Sequence, residues 1–170
     1  IRPEHRHAIF ELGTNSFGEI AALSEVCAPD AGIILNIGPS HLEGLQDEDG
    51  VFREKTALFN RPLDIRLFDA DDPRFEACAQ QGQSVGFEEN ADFRISDLRR
   101  DKQSCSFKLN GEDYSVPYPL PFFAKNAAFA IAAATLRGFS TEAIRKALAQ
   151  PISLGLRMQR HVENAQIVAE

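Results

Sequence analysis

Residues 31–73 read AGIILNIGPSHLEGLQDEDGVFREKTALFNRPLDIRLFDADDP, and this stretch decides the fold. AGIILNIG (31–38) is a continuous apolar run, the pattern of a strand covered on both faces. Gly50 to Asn60 reads as a helix that places Val51, Lys55, Leu58 and Phe59 on one face, and Pro62 stops it. LDIRLFDA (63–70) is a second strand, closed by the Asp71–Asp72–Pro73 turn and followed by a short helix through Cys78. A strand, a helix and a strand in that order predict a parallel pair with a right-handed crossover.

The flanks extend the pattern. AIFEL (8–12) is an apolar run ended by Gly13 and predicts another strand, and GEIAALSEVC (18–27) has helical spacing before Pro29. On the other side, SVGF, ADFRISDL, CSFKLNG and EDYSVPYPL are short strands with polar alternation, and Asn110–Gly111 is a strong hairpin signal. They predict an antiparallel meander over residues 84–120. Beyond Pro121, KNAAFAIAAATLRG (125–138) reads as a helix stopped by Gly138. STEAIRKALAQ (140–150) reads as a second helix capped by Ser140 or Thr141. The fold class expected is α/β in three layers: a mostly parallel sheet with helices on both faces, plus a small antiparallel β appendage. Residues 1–170 form one domain in this reading, with 84–120 as an insertion.

Bulk properties narrow the function. Apolar residues at 44% and charged residues at 25% are globular values. A net charge of -7 argues against a nucleic-acid surface, because backbone phosphates would be repelled. Cys27, Cys78 and Cys105 are widely spaced, without a CxxC, and predict free thiols in a reducing compartment and no disulfides. No apolar run approaches a membrane span, and IRPEHRHAIF has no signal-peptide core. The chain starts without Met just before one predicted strand and ends at QIVAE inside another, the pattern expected of a piece of a longer protein.

Three residues carry the chemistry. Glu11 emerges where the predicted strand 8–12 ends, His41 follows the strand at 31–38, and Lys55 lies on the inward face of the next helix. Carboxyl ends of strands are where open α/β sheets place their ligands. Each residue also has a plain structural reading: a helix-capping carboxylate, a loop imidazole and a lysine that snorkels to solvent. A lysine among apolar neighbours can instead lose its proton and add carbon dioxide, and the carbamate is an anionic ligand for a hard cation.

The strings ELGTNSFGEI (11–20) and NIGPSHLEGLQDEDGVFREKTALFN (36–60), followed in order by NAAFAIAAATL and GLRMQ, resemble the central domain of the Mur ligase family. The resemblance is strongest to the branch that adds D-alanyl-D-alanine to a UDP-MurNAc-tripeptide in peptidoglycan synthesis. It implies a P-loop NTPase-like domain of an ATP-dependent peptide ligase working in the bacterial cytoplasm with ATP and Mg2+. UDP-MurNAc-peptide and D-alanyl-D-alanine would be its substrates, and neither nucleic acid nor membrane would be a partner. By the same resemblance Glu11, His41 and a carbamylated Lys55 are metal ligands, with Lys55 and His41 the catalytic pair. Asn126 and Arg157 would contact the nucleotide, and Thr14 and Asn15 would line the substrate pocket.

The departures are specific. The family's G-x-H-N-x-x-N reads Phe123-Ala124-Lys125-Asn126-Ala127-Ala128-Phe129, its P-G-R reads Gly155-Leu156-Arg157, and its His in the first string is Ser16. The family's phosphate loop, G-x-x-G-K-T/S, is not in this sequence. The expectation is therefore an active parent ligase and a 170-residue piece without turnover of its own. Two alternatives stay open: a divergent relative with another amine substrate, and a non-catalytic binding or assembly domain.

Overall fold

A computed structural model describes residues 2–150, 161–163 and 166–169. Helix α1 (Glu19–Cys27) leads into β1 (Ala31–Ile34). The short α2 (Leu42–Leu45) and α3 (Glu48–Thr56) follow, and a 3-10 turn (Ala57–Asn60) ends the crossover. Next come β2 (Ile65–Asp69), a second 3-10 turn (Pro73–Cys78) and β3 (Gln83–Gly86). Strands β4 (Phe93–Arg100), β5 (Cys105–Leu109) and β6 (Glu112–Val116) precede helices α4 (Pro121–Leu136) and α5 (Thr141–Leu148).

The six strands form one sheet in chain order, β1 to β6. The pairs β1·β2, β2·β3 and β3·β4 are parallel, while β4·β5 and β5·β6 are antiparallel. A separate antiparallel pair joins β7 (His161–Glu163) to β8 (Gln166–Ala169). Successive residues of β2 point to opposite faces, as strand geometry requires. Leu67 packs with Val85, Ile95 and Phe107 under the alanine-rich face of α4, where Ala124, Ala128 and Ala132 let the helix lie close. Phe68 packs on the other face with Ile20, Ile34, Leu58, Phe59 and Phe75, beneath α1 and the crossover. Helices thus cover both faces, as expected.

Local signals translate directly. Asn110 and Gly111 adopt φ of 50° and 87°, the left-handed pair of a tight hairpin, and Leu109 faces Glu112 across it. Gly138 has φ of 83° and stops α4, with its N–H donating to the Thr135 carbonyl. Ser140 caps α5 by accepting from the Ala143 N–H.

Three expectations are corrected. Residues 8–12 form no strand: Ile9 is 98% exposed and Phe10 53%, because an apolar run becomes a strand only when a neighbour completes its ladder. The apolar run at 31–38 is not covered on both faces. Its strand β1 is an edge of the sheet, and Ile33 and Leu35 remain exposed. The strand within SVGF is not part of an antiparallel meander, since β3 runs parallel between β2 and β4. The antiparallel portion is β4–β6, and it continues the main sheet rather than hanging from it.

Candidate functional site

The loop between residues 13 and 18 is built on two carboxylates. Glu54, on α3, is only 3% exposed and accepts from the Gly18 N–H and the Ile20 N–H, each at 2.7 Å. It serves as the N-terminal cap that Gly18 lacks a side chain to provide. Glu19 turns back on the same loop and accepts from Asn15 N at 2.6 Å and Ser16 N at 3.1 Å. Those backbone donors hold its carboxyl below the usual carboxylate range, and the charge of nearby His41 acts in the same direction.

Thr14 is buried, with its hydroxyl 3.0 Å from the Ser16 carbonyl and 3.4 Å from Glu54 Oε1. It therefore supports the loop from within, while the expected place at a substrate pocket is a matter for the proposed function. Asn15 is exposed on the same loop.

The second loop sits directly against the first. His41 has φ of 56° and starts α2, with its side chain exposed. A Cβ at Gly44 would lie 1.9 Å from the Asn15 carbonyl oxygen, so only glycine allows this approach. Gly44→Ala must push the two loops apart, and we expect a loss of about 2 kcal/mol in the urea unfolding free energy, the scale of overpacking.

Lys55 follows Glu54 on α3. It is half-buried, and its Nζ donates to the Asn36 carbonyl oxygen at 3.3 Å. Among the described residues no carboxylate pairs with it. Burial lowers its pKa, so more of its amine is uncharged than in a free lysine. Loop 36–47 thus meets α3 at Lys55, while loop 13–18 is held by the adjacent Glu54 and lies against Gly44 of the second loop. Glu11 lies exposed in the unpaired stretch before this loop. Among the described residues no three His, Cys, Asp or Glu side chains stand close enough to hold a metal.

The carboxyl end of β2 carries a further set that sequence reasoning missed. Lys125, in the first turns of α4, lies 2.6 Å from Asp69 and 2.7 Å from Asp71. Asp72 binds Arg74 at 2.7 Å, and Arg74 reaches Glu48 at 3.1 Å, tying this end to the start of α3. A cavity of about 520 Å³ opens here, lined by Asp69, Asp71, Glu76, Ser84, Glu88 and Asp92 among others. Asn126 is exposed next to Lys125. Arg157 lies outside the described residues. All three cysteines are free thiols, with Cys105 buried. Among the described residues no helix is long and apolar enough to cross a membrane.

A mostly parallel sheet covered by helices, with polar loops beyond its strand ends, defines an α/β domain of the class that places ligands at the carboxyl edge. The chain belongs to the Mur ligase family: the family's profile, described as the Mur ligase middle domain, matches residues 1–134. It is 30% identical over 161 residues to the UDP-N-acetylmuramoyl-tripeptide–D-alanyl-D-alanine ligase of Escherichia coli, covering 88% of this chain and 36% of that protein. The Bacillus subtilis ligase of the same name is 28% identical, with 89% of this chain and 34% of that protein covered. The crystal structure of MurF from Acinetobacter baumannii superposes with a TM-score of 0.85 at 28% identity, covering 96% of this chain and 38% of that one. The chain spans about a third of the length of the curated relatives it matches.

Proposed function

We propose that this chain is the central, nucleotide-handling part of a longer ATP-dependent ligase of peptidoglycan precursor synthesis in the bacterial cytoplasm. That ligase adds D-alanyl-D-alanine to a UDP-MurNAc-tripeptide. The observation that carries this reading is Lys55: half-buried, with no carboxylate partner among the described residues, and bonded to loop 36–47 next to the glutamate that holds loop 13–18. The names of the relatives support the choice of amine.

The residues present fit a divalent ion in their chemistry. Burial disfavours the Lys55 ammonium, which favours the neutral amine that a carbamate requires. Glu11 and His41 are exposed, and among the described residues neither is held in an ion pair. In this reading Glu11 would hold one Mg2+ at the ATP phosphates and His41 with carbamylated Lys55 would help hold a second, a pair of ions that would supply positive charge to the phosphoryl group being transferred. Asn126 and Arg157 orient the nucleotide. Asn15 faces the peptide substrate, and Thr14 keeps that loop in place. The peptide carboxylate takes the γ-phosphoryl group of ATP, and the incoming amine displaces phosphate from the resulting acyl phosphate.

An assay of the longer protein with UDP-MurNAc-tripeptide, ATP and a panel of amines tests this. Ligation is expected with D-alanyl-D-alanine and at most weakly with single amino acids. Preference for a different amine would favour the divergent relative suggested by Lys125 and Phe129. The isolated 170-residue chain is expected to give no ATP-dependent product.

A further inference from the structure

We propose that Lys125 is a positioning residue, locking the first turns of α4, and Asn126 with them, to the carboxyl ends of β2 and β3. It rests on the reading above, in which Asn126 meets the nucleotide. Three elements meet at one ammonium. Lys125 Nζ stands 2.6 Å from Asp69 Oδ1 and 2.7 Å from Asp71 Oδ2. Asp69, at the end of β2, is buried and also accepts the Asp71 N–H at 2.9 Å. Asp71 Oδ1 accepts the Phe87 N–H at 2.6 Å and the Glu88 N–H at 3.2 Å, just beyond β3.

The backbone makes room for this arrangement. A Cβ at Gly86 would fall 2.5 Å from Asp71 Oδ1 and 2.8 Å from Ala70 Cβ, so a side chain there would displace the Asp71 carboxylate. The charges argue the same way. Without Lys125, two neighbouring carboxylates would repel each other and any polyphosphate brought to this edge. The two carboxylates raise the Lys125 pKa against the opposing effect of burial. Lys125 therefore keeps its positive charge at neutral pH and would lose it only in strongly alkaline solution. The resembled family has a histidine here, largely uncharged at neutral pH. A lysine supplies the full charge and a longer reach.

Steady-state kinetics of the longer ligase test the role. Lys125→Met is expected to raise KM for ATP about tenfold, the scale of one misplaced charge-assisted contact. kcat and KM for the dipeptide should stay near wild type. Asp71→Asn should reproduce the selective rise, and Lys125→Arg should restore KM for ATP. Arg145→Met, which breaks the tie of α5 to Glu112 and the Asp113 carbonyl and its contact over the Tyr114 ring, away from Lys125, should leave all three parameters unchanged. If Lys125→Met does not purify folded, Asp71→Asn carries the comparison. An active wild type whose Lys125→Met and Asp71→Asn forms keep a normal KM for ATP would overturn this inference alone. Loss of kcat and of both KM values together would overturn it too, by marking a general structural tie. A wild type that neither binds nor uses ATP would overturn this inference and the function it rests on.

Discussion

Lys55→Ala in the longer ligase is expected to lower kcat about a thousandfold or more, since a metal-bound charge at a phosphoryl transfer supplies several kcal/mol. The physical case begins with α3. Asp47 caps the helix by accepting from Gly50 N at 2.7 Å, Val51 buries its inner face, and Leu58 of the following 3-10 turn is buried beyond it. Lys55 falls at the border of that face, where its polar partner among the described residues is the Asn36 carbonyl. Burial there favours the neutral amine, and under the proposed function that amine would add to carbon dioxide, forming an N–C bond and releasing a proton. The product is a carbamate anion where an ammonium would repel a cation. Lys55→Arg separates this account from a lysine that acts as a cation. A guanidinium keeps its charge and forms no carbamate, so Lys55→Arg should be as inactive as Lys55→Ala. Recovery of activity by arginine would rule the carbamate out. A carbamate carbon resonance in protein equilibrated with labelled bicarbonate, lost in Lys55→Arg, gives an independent readout.

Glu54→Leu is expected to have the largest effect on stability, about 3–5 kcal/mol in urea unfolding. Two backbone N–H groups, Gly18 and Ile20, would lose their acceptor in a buried site, and each orphan costs about 1–3 kcal/mol. The Thr14 hydroxyl would lose a neighbour as well. Glu54→Gln keeps one carbonyl oxygen and the shape of the side chain, so its loss should be about half as large. Equal stability of the Leu variant and wild type would show that loop 13–18 is held by something other than this carboxylate. In the ligase, Glu54→Gln should also weaken turnover, because Glu54 fixes the loop that carries Asn15 against the helix that carries Lys55.

The parts legible in the sequence are those whose causes are local. Asn110–Gly111 needs only two adjacent left-handed residues, and Gly138 needs only a helix to stop. The β1–α3–β2 crossover was legible because its apolar runs and its Pro62 stop lie within one short stretch. The misread parts depend on distant partners. The run 8–12 looks like a strand, yet strand formation requires a neighbour. The direction of β3 is set by β2 and β4, not by the residues of SVGF themselves.

The candidate site divides the same way. Lys55 stood out because a lysine on an apolar helix face is anomalous. Glu54 occupies that face too, three residues after Val51, but a glutamate reads as solvated until its partners 34 and 36 residues away are known. Lys125 was visible as a departure from a family pattern, while its bond to Asp71, 54 residues earlier, came only with the fold.

The most direct test follows oxygen. The longer protein is given UDP-MurNAc-tripeptide labelled with 18O in its terminal carboxylate, with ATP and D-alanyl-D-alanine. Attack of that carboxylate on the γ-phosphoryl group must carry one labelled oxygen into the phosphate released when the amine arrives. One 18O per inorganic phosphate, in step with amide formation, is the result this account predicts. Unlabelled phosphate, or label recovered in AMP, would contradict it.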